Sequence, residues 1–134
     1  VHDLVKDARK VQQTILLVGD ISDIYVTNFN TMTGDPNFTV EELSAIAFGY
    51  NRLLKESSDL LLDLKEVTTA TGLSMTDKER LDIINRIYGE VLEYKNLTWY
   101  YTRKNIGVSY LRSKEKGDAA RVLSLYGTHE QRYW

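Results

Sequence analysis

The sequence predicts an all-α protein: a bundle of three long antiparallel helices followed by a short C-terminal helix. Two observations predict it. Apolar residues recur at spacings of three and four over most of the chain, and explicit start and stop signals cut that pattern into segments. In the first segment Leu4, Ala8, Val11, Ile15, Val18, Ser22, Tyr25, Phe29 and Met32 fall on one helical stripe. The second repeats it with Leu43, Ala47, Tyr50, Leu54, Ser57, Leu61 and Leu64. Such a stripe leaves water only by packing on another, which makes antiparallel neighbours with a shared core the expected arrangement, Leu54 and Leu61 within it. A chain of 134 residues supports one core of useful size and falls short of two independent ones, so a single domain over 1–134 is expected.

The first helix runs from about Asp3 to about Met32 with Gly19 inside it, and stops at Thr33-Gly34-Asp35-Pro36. There glycine can supply a left-handed residue and proline cannot continue the helix. Thr39 followed by Glu42 is a capping box that starts the second helix, and Phe38 before it can close over Leu43 as a hydrophobic staple. This helix extends to about Thr71, where Gly72 can turn left-handed and Leu73 can fold back on Val67. Thr76 with Glu79 is a second capping box, opening a third helix at Asp77 with no stop signal before Gly117. Gly89 and Gly107 inside it each weaken it by about 1 kcal/mol relative to alanine, which points to a close helix approach or a bend. Asp118 can cap a short fourth helix, Ala119 to Tyr126, closed by Gly127. The tail Thr128–Trp134 has no periodicity and, ending on Tyr133-Trp134, is expected to dock on the bundle.

Composition excludes several classes. Apolar residues at 43% and charged residues at 27% rule out a wholly disordered chain. The absence of cysteine removes disulfides, thiolate catalysis and cysteine-based zinc sites. No apolar run reaches the length of a membrane span. The two histidines, His2 and His129, lie at opposite ends outside the helical patterns, which leaves a histidine zinc site or a Ser/His/Asp triad without support. Asp59, Asp63 and Glu66 share a helix face and could ligate a cation, although a solvated row answered by Lys55 and Lys65 explains them as well. Glu90 with Glu93 and Asp20 with Asp23 would need a cleft to serve as acid and base. The glycines are single and sit where helix stops are wanted, so no loop cradles phosphate. No catalytic residue, cofactor, metal or small-molecule substrate is therefore expected. Two sequons, Asn37-Phe38-Thr39 and Asn96-Leu97-Thr98, fall on a capping box and inside a helix.

Charge is distributed unevenly. Residues 1–98 carry ten Lys and Arg against sixteen Asp and Glu, whereas 99–134 carry seven against three. The basic end also holds Trp99, Tyr100, Tyr101, Tyr110, Tyr126, Tyr133 and Trp134, half of all the aromatics. Cations interleaved with rings are what a single-stranded nucleic acid module needs, since cations follow phosphates and rings stack on bases. The spacing Trp99, Arg103, Ile106, Tyr110 also fits a core edge with solvated arginines. The run Arg112-Ser-Lys114-Glu-Lys116 fits a helix C-terminus answering its own dipole. Tyrosine, tryptophan and arginine are also the types that dominate protein interfaces. The candidate protein-contact surface is accordingly Trp99, Tyr100, Tyr101, Arg103, Lys104, Tyr110 and Arg112.

Several strings resemble one family: Leu4-Val-Lys-Asp-Ala-Arg-Lys-Val-Gln-Gln-Thr14, Asp35-Pro-Asn-Phe-Thr39 with Glu41-Glu-Leu-Ser-Ala-Ile-Ala-Phe-Gly-Tyr50, Thr71-Gly-Leu-Ser-Met75 with Asp77-Lys-Glu-Arg80, and Tyr100-Tyr-Thr-Arg-Lys-Asn-Ile106. With Ser109-Tyr-Leu-Arg112 and Arg132-Tyr-Trp134 the similarity covers nearly the whole chain. It is to the conjugal transfer proteins of Bacteroides-type conjugative transposons, themselves similar to periplasmic mating-pair-formation proteins of type IV secretion systems. The resemblance implies a precursor with a signal peptide and a further helical stretch upstream, of which this chain, opening at Val1, is a fragment. It also implies a location in the periplasm or cell envelope, other secretion-apparatus proteins as partners, and no catalysis. Self-association stays open, as does the alternative of a nucleic-acid-binding helical module that uses the basic, aromatic C-terminal half.

Overall fold

The computed structural model describes residues 2–69 and 75–127, with side chains from Asp7 onward. It is all-helical: α1 (His2–Thr33), α2 (Val40–Thr69), α3 (Asp77–Glu115) and α4 (Ala119–Tyr126), with no strand among the described residues. The predicted stop at Gly72 with Leu73 on Val67, the tail Thr128–Trp134 and His129 lie outside the described residues, as does the side chain of His2.

The ends of the helices show which signals act. At the end of α1 the Gly34 N–H donates to the Thr31 carbonyl at 3.1 Å and the Asp35 N–H to that of Met32 at 3.0 Å. Gly34 is not left-handed, because positive φ occurs among the described residues only at Gly117 and Gly127. The stop comes instead from Asp35-Pro36-Asn37. Proline keeps the residue before it out of the helical region, and the Asp35 carboxyl accepts the Asn37 N–H at 2.9 Å, an Asx turn. At α2 the capping box is complete, with the Glu42 N–H donating to Thr39 Oγ1 at 3.1 Å and the Thr39 N–H to Glu42 Oε1 at 3.0 Å. At α3 only half of it forms. Thr76 Oγ1 accepts the Glu79 N–H at 3.1 Å, and its hydroxyl donates to the Glu79 carboxylate, also at 3.1 Å.

The far end of α3 closes as a Schellman motif. Gly117 takes φ 74°, its N–H donates to the Lys114 carbonyl, and the Asp118 N–H donates to that of Ser113 at 2.7 Å. Asp118 does not cap α4 with its side chain as expected. Its carboxylate pairs with Arg121 at 2.6 Å, one turn into the helix. Gly127 ends α4 at φ 100° and ψ 175°, a conformation open to glycine alone.

The packing sorts the chain into two compact units, each crossed by all three long helices. Unit 1 is Val1–Ser22 with Leu53–Asn96, and unit 2 is Asp23–Arg52 with Leu97–Trp134.

In unit 1 the core is Leu17, Ile21, Leu64, Ile84, Ile87 and Val91, flanked by Val11, Val18, Leu54 and Leu61. Leu64 is fully buried, while Leu54 and Leu61 stand at the margin rather than the centre. Ile15 leaves the predicted stripe and is 49% exposed. The seam passes through Thr14, Leu17 and Ile21, and Thr14 is tolerated there because its hydroxyl donates to the Lys10 carbonyl at 2.8 Å. The helices alternate in direction, so α1 and α3 run parallel. Lys10 lies over the Tyr88 ring at 4.3 Å, and further along both helices Asp20 accepts from Lys95 at 3.1 Å. Open space surrounds both Gly19 and Gly89, so no close approach explains Gly89.

In unit 2 the core is Met32, Phe38, Ile46, Tyr50 and Ile106, with Tyr25, Phe29, Leu43, Tyr101 and Tyr126 around it. The staple partners Phe38 and Leu43 both belong to this cluster. Its centre is aromatic. Tyr25 stacks on Tyr50 with centroids 4.7 Å apart, and Tyr101 meets Tyr50 edge-on at 5.0 Å.

Candidate contact surface

Within unit 2, α3 presents two unlike faces. The inner one is Thr98, Thr102, Ile106, Ser109 and Ser113, spaced by four, four, three and four, and all fully buried. Four hydroxyls in a core are stable only when hydrogen-bonded. Thr102 spends its proton on the Thr98 carbonyl at 2.8 Å, so the Tyr50 hydroxyl must donate to Thr102 Oγ1, 2.6 Å away. Burial pushes the Tyr50 phenol up to about 12.

Ser109 and Ser113 hold the loop that follows α1. Ser109 donates to Asp35 Oδ2 at 2.5 Å, and the Tyr126 hydroxyl reaches the same oxygen from α4 at 2.7 Å. Burial, then the hydrogen bond to Asp35, raises the Tyr126 phenol well above its ordinary range. The Asn37 amide donates to Ser113 Oγ at 2.6 Å, and its oxygen accepts from Lys116 at 3.0 Å. Asn37 is thus bound on both sides and 5% exposed, which removes the first sequon from the surface of the folded chain. The second sequon has its Thr98 fully buried.

The outer face of the same stretch is apolar. Leu97, Tyr100, Val108 and Leu111 are exposed to 47%, 51%, 39% and 58%, too much for a stripe that the fold itself uses. Lys104 lies among them, its ammonium 5.5 Å from the centre of the Tyr100 ring. From Leu97 to Lys114 the chain carries Arg103, Lys104, Arg112 and Lys114 and no carboxylate. Among the described residues no ion pair forms at Arg103, Lys104 or Lys114.

The residues expected to form a contact surface are therefore divided. Tyr100 and Lys104 face outward; Trp99, Tyr101, Arg103, Tyr110 and Arg112 are half-buried. Trp99, Arg103 and Tyr110 flank the buried Ile106, the core-edge arrangement that their spacing suggests. Tyr101 lies on α2, its hydroxyl donating to the Ile46 carbonyl at 3.0 Å. Arg112 makes a two-pronged pair with Glu42 at 2.8 and 2.6 Å and also reaches the Asn37 carbonyl at 2.7 Å. That pair and the cap hydrogen bond from Thr39 hold the Glu42 carboxyl down at about 2. Charge alone could not separate Arg112 from Lys104, because the separation depends on which face each one occupies. The outward leucines and valine carry no mark of exposure in the sequence, since apolar residues at helical spacing read first as core.

Three of the remaining candidate carboxylates, Asp59, Glu90 and Asp20, sit in ion pairs. Asp59 pairs with Lys55 at 2.9 Å, and no group of three His, Cys, Asp or Glu able to hold a metal occurs among the described residues. Glu90 pairs with Arg86 and Asp20 with Lys95, both at 3.1 Å. In unit 1 a cleft of about 370 Å³ is lined by Asp7, Ala8, Val11, Gln12, Thr68, Arg80 and Ile84. The buried Oδ1 of Asp7 and Nε of Arg80 border it, polar enough and roomy enough for ordered water. No described helix is long and apolar enough to cross a membrane.

Comparison with protein-family models, with curated proteins and with solved structures finds no match for this chain.

Proposed function

We propose that this chain is a non-enzymatic component of a conjugative DNA-transfer apparatus, of the mating-pair-formation class of type IV secretion, and that it acts in the periplasm through protein–protein contacts. The apparatus is suggested by the strings that resemble conjugal transfer proteins. The mode of action rests on one observation, the outward stripe Leu97, Tyr100, Val108 and Leu111 around Lys104, which forms no ion pair among the described residues. Contiguous exposed apolar surface bordered by polar groups marks interaction sites, and a tyrosine beside aliphatic anchors suits a protein partner.

Nucleic acid is the competing reading, favoured by the Lys104 ammonium over the Tyr100 ring. Single strands are held by successive stacked bases along a basic track. On this face one ring is fully outward and its neighbours along the stripe are aliphatic, a poor stacking platform. The deciding experiment complements a deletion in a donor strain with the full-length gene carrying Tyr100→Ala or Leu111→Asp. The expected result is a fall in conjugation frequency, with export and helical circular dichroism retained. Undiminished transfer by both variants overturns the reading. Purified chain that binds an oligothymidylate at physiological salt with a steep salt slope, lost in Lys104→Glu, assigns the face to nucleic acid instead.

A further inference from the structure

We infer that the occupant of the outer face of α3 is an acidic amphipathic helix, laid along the stripe from Leu97 to Leu111; this rests on the protein-contact reading above and names the chemistry of the partner. Three features select it. The exposed residues Leu97, Tyr100, Lys104, Val108 and Leu111 recur at three, four, four and three, so they form one straight ridge parallel to the helix axis. At 1.5 Å per residue the ridge is about 21 Å long, four turns, room for two successive sets of the i, i+3, i+4 and i+7 anchors of a single helix. An extended strand alternates its side chains with a period of two and would meet this ridge out of step.

Charge selects the sign of the partner. Lys104 stands on the ridge and the exposed Lys114 near its end, with no carboxylate between Leu97 and Lys114, while Arg103 lies toward the core edge and Arg112 is already committed to Glu42. A partner helix with glutamates or aspartates beside its apolar seam brings the missing counter-charges. A basic helix would meet like charge at Lys104, in the middle of the ridge, a repulsion of the kind that excludes wrong partners. Lys104 is central in this arrangement. Its stem covers apolar surface while its ammonium stays near the Tyr100 ring and can turn to a carboxylate on the incoming helix.

The probe is a synthetic helical peptide of about 18 residues with leucines at alternating spacings of three and four and glutamates beside them. Two further peptides serve as controls, one with lysine for each glutamate and one of scrambled order. Fluorescence anisotropy with the 134-residue chain should show saturable, salt-weakened binding of the glutamate peptide, at least about tenfold tighter than either control. Leu97→Asp and Leu111→Asp should each weaken it by about tenfold or more. Lys104→Glu should shift preference toward the lysine peptide, an exchange that misfolding could not produce. Equal binding of the glutamate and lysine peptides overturns the inference, as does binding indifferent to Leu111→Asp. Sedimentation equilibrium provides a separate outcome: a dimer of the chain dissolved by Leu111→Asp makes a second copy the occupant. If the glutamate peptide fails while Leu111→Asp still depresses conjugation, the partner's chemistry is wrong and the contact surface stands. If conjugation is also unaffected, both fall.

Discussion

The ring of Tyr101 fills the space that a side chain on Gly49 would need. A Cβ built on Gly49 runs into the Tyr101 hydroxyl and Cζ, and that hydroxyl is fixed by its bond to the Ile46 carbonyl. Alanine normally stabilises a helix interior over glycine by about 0.5–1 kcal/mol. At Gly49 the sign should reverse, because forcing a group into an occupied site costs about 1–3 kcal/mol. Gly19 and Gly89 have open space around them and should show the ordinary gain on Gly→Ala. Urea denaturation of the three variants checks this, with Gly49→Ala repeated in a Tyr101→Ala background, where its penalty should disappear. Equal stabilisation at all three positions would remove the close approach from the account.

Core position should grade the leucines of α2. Leu64 is fully buried among Leu17, Ile21, Ile84, Ile87 and Val91, so Leu64→Ala should cost about 2–5 kcal/mol. Leu54 and Leu61 flank the same cluster and keep part of their surface in water, so alanine at either should cost less. Denaturation midpoints that rank Leu61→Ala at or above Leu64→Ala would show the seam to be wrongly centred.

The cap of α2 is coupled to α3 through a single carboxylate. Glu42 accepts from the Thr39 N–H and from both guanidinium prongs of Arg112. Thr39→Ala should cost about 0.5–2 kcal/mol. Since the Glu42 carboxyl is held at about 2 against an ordinary 4.5, its contribution is fully present above about 4.5 and is lost as the pH falls through 2. The difference in stability between the wild type and Glu42→Gln should therefore shrink between those values, and a difference independent of pH would refute the coupling.

The helices were legible because their signals are local: two threonine caps, a proline and stripes at helical spacing. Much of the α3 interior was not. Thr98, Thr102, Ser109 and Ser113 are polar by type, so a search for apolar periodicity passes over them, although their spacing of four, then seven, then four is helical. The hydroxyls of Thr102, Ser109 and Ser113 meet Tyr50, Asp35 and Asn37, from 52 to 76 positions away, and such distances are set by tertiary packing. Gly89 has open space around it, whereas a close approach occurs at Gly49, since the bulky residue that decides it comes from another helix. The same limit applied to the contact surface. Sequence marks the basic, aromatic stretch, while the fold decides that Arg112 pairs inward with Glu42 and that Leu97 and Leu111 turn out.

Alkaline pH should loosen unit 2 through its phenols. Burial raises Tyr50 to about 12 from an ordinary 10.0, and burial together with Asp35 raises Tyr126. A phenol whose folded value lies above its unfolded one favours the native state fully below about 10 and progressively less as the pH climbs, because the unfolded chain ionises first. Stability should therefore fall between about pH 10 and 12, on top of any loss from lysine titration. Removing either hydroxyl separates the two contributions. Tyr126→Phe should lower stability at pH 8 by about 1–3 kcal/mol, since the buried Asp35 loses a hydrogen bond. Tyr50→Phe should cost less there, because it leaves only the neutral Thr102 oxygen without that donor, and Thr102 still donates to Thr98. Both variants should decline more gently than wild type above pH 10 when urea midpoints are followed by circular dichroism. Parallel curves for all three proteins would mean that the buried phenols do not govern the alkaline limb.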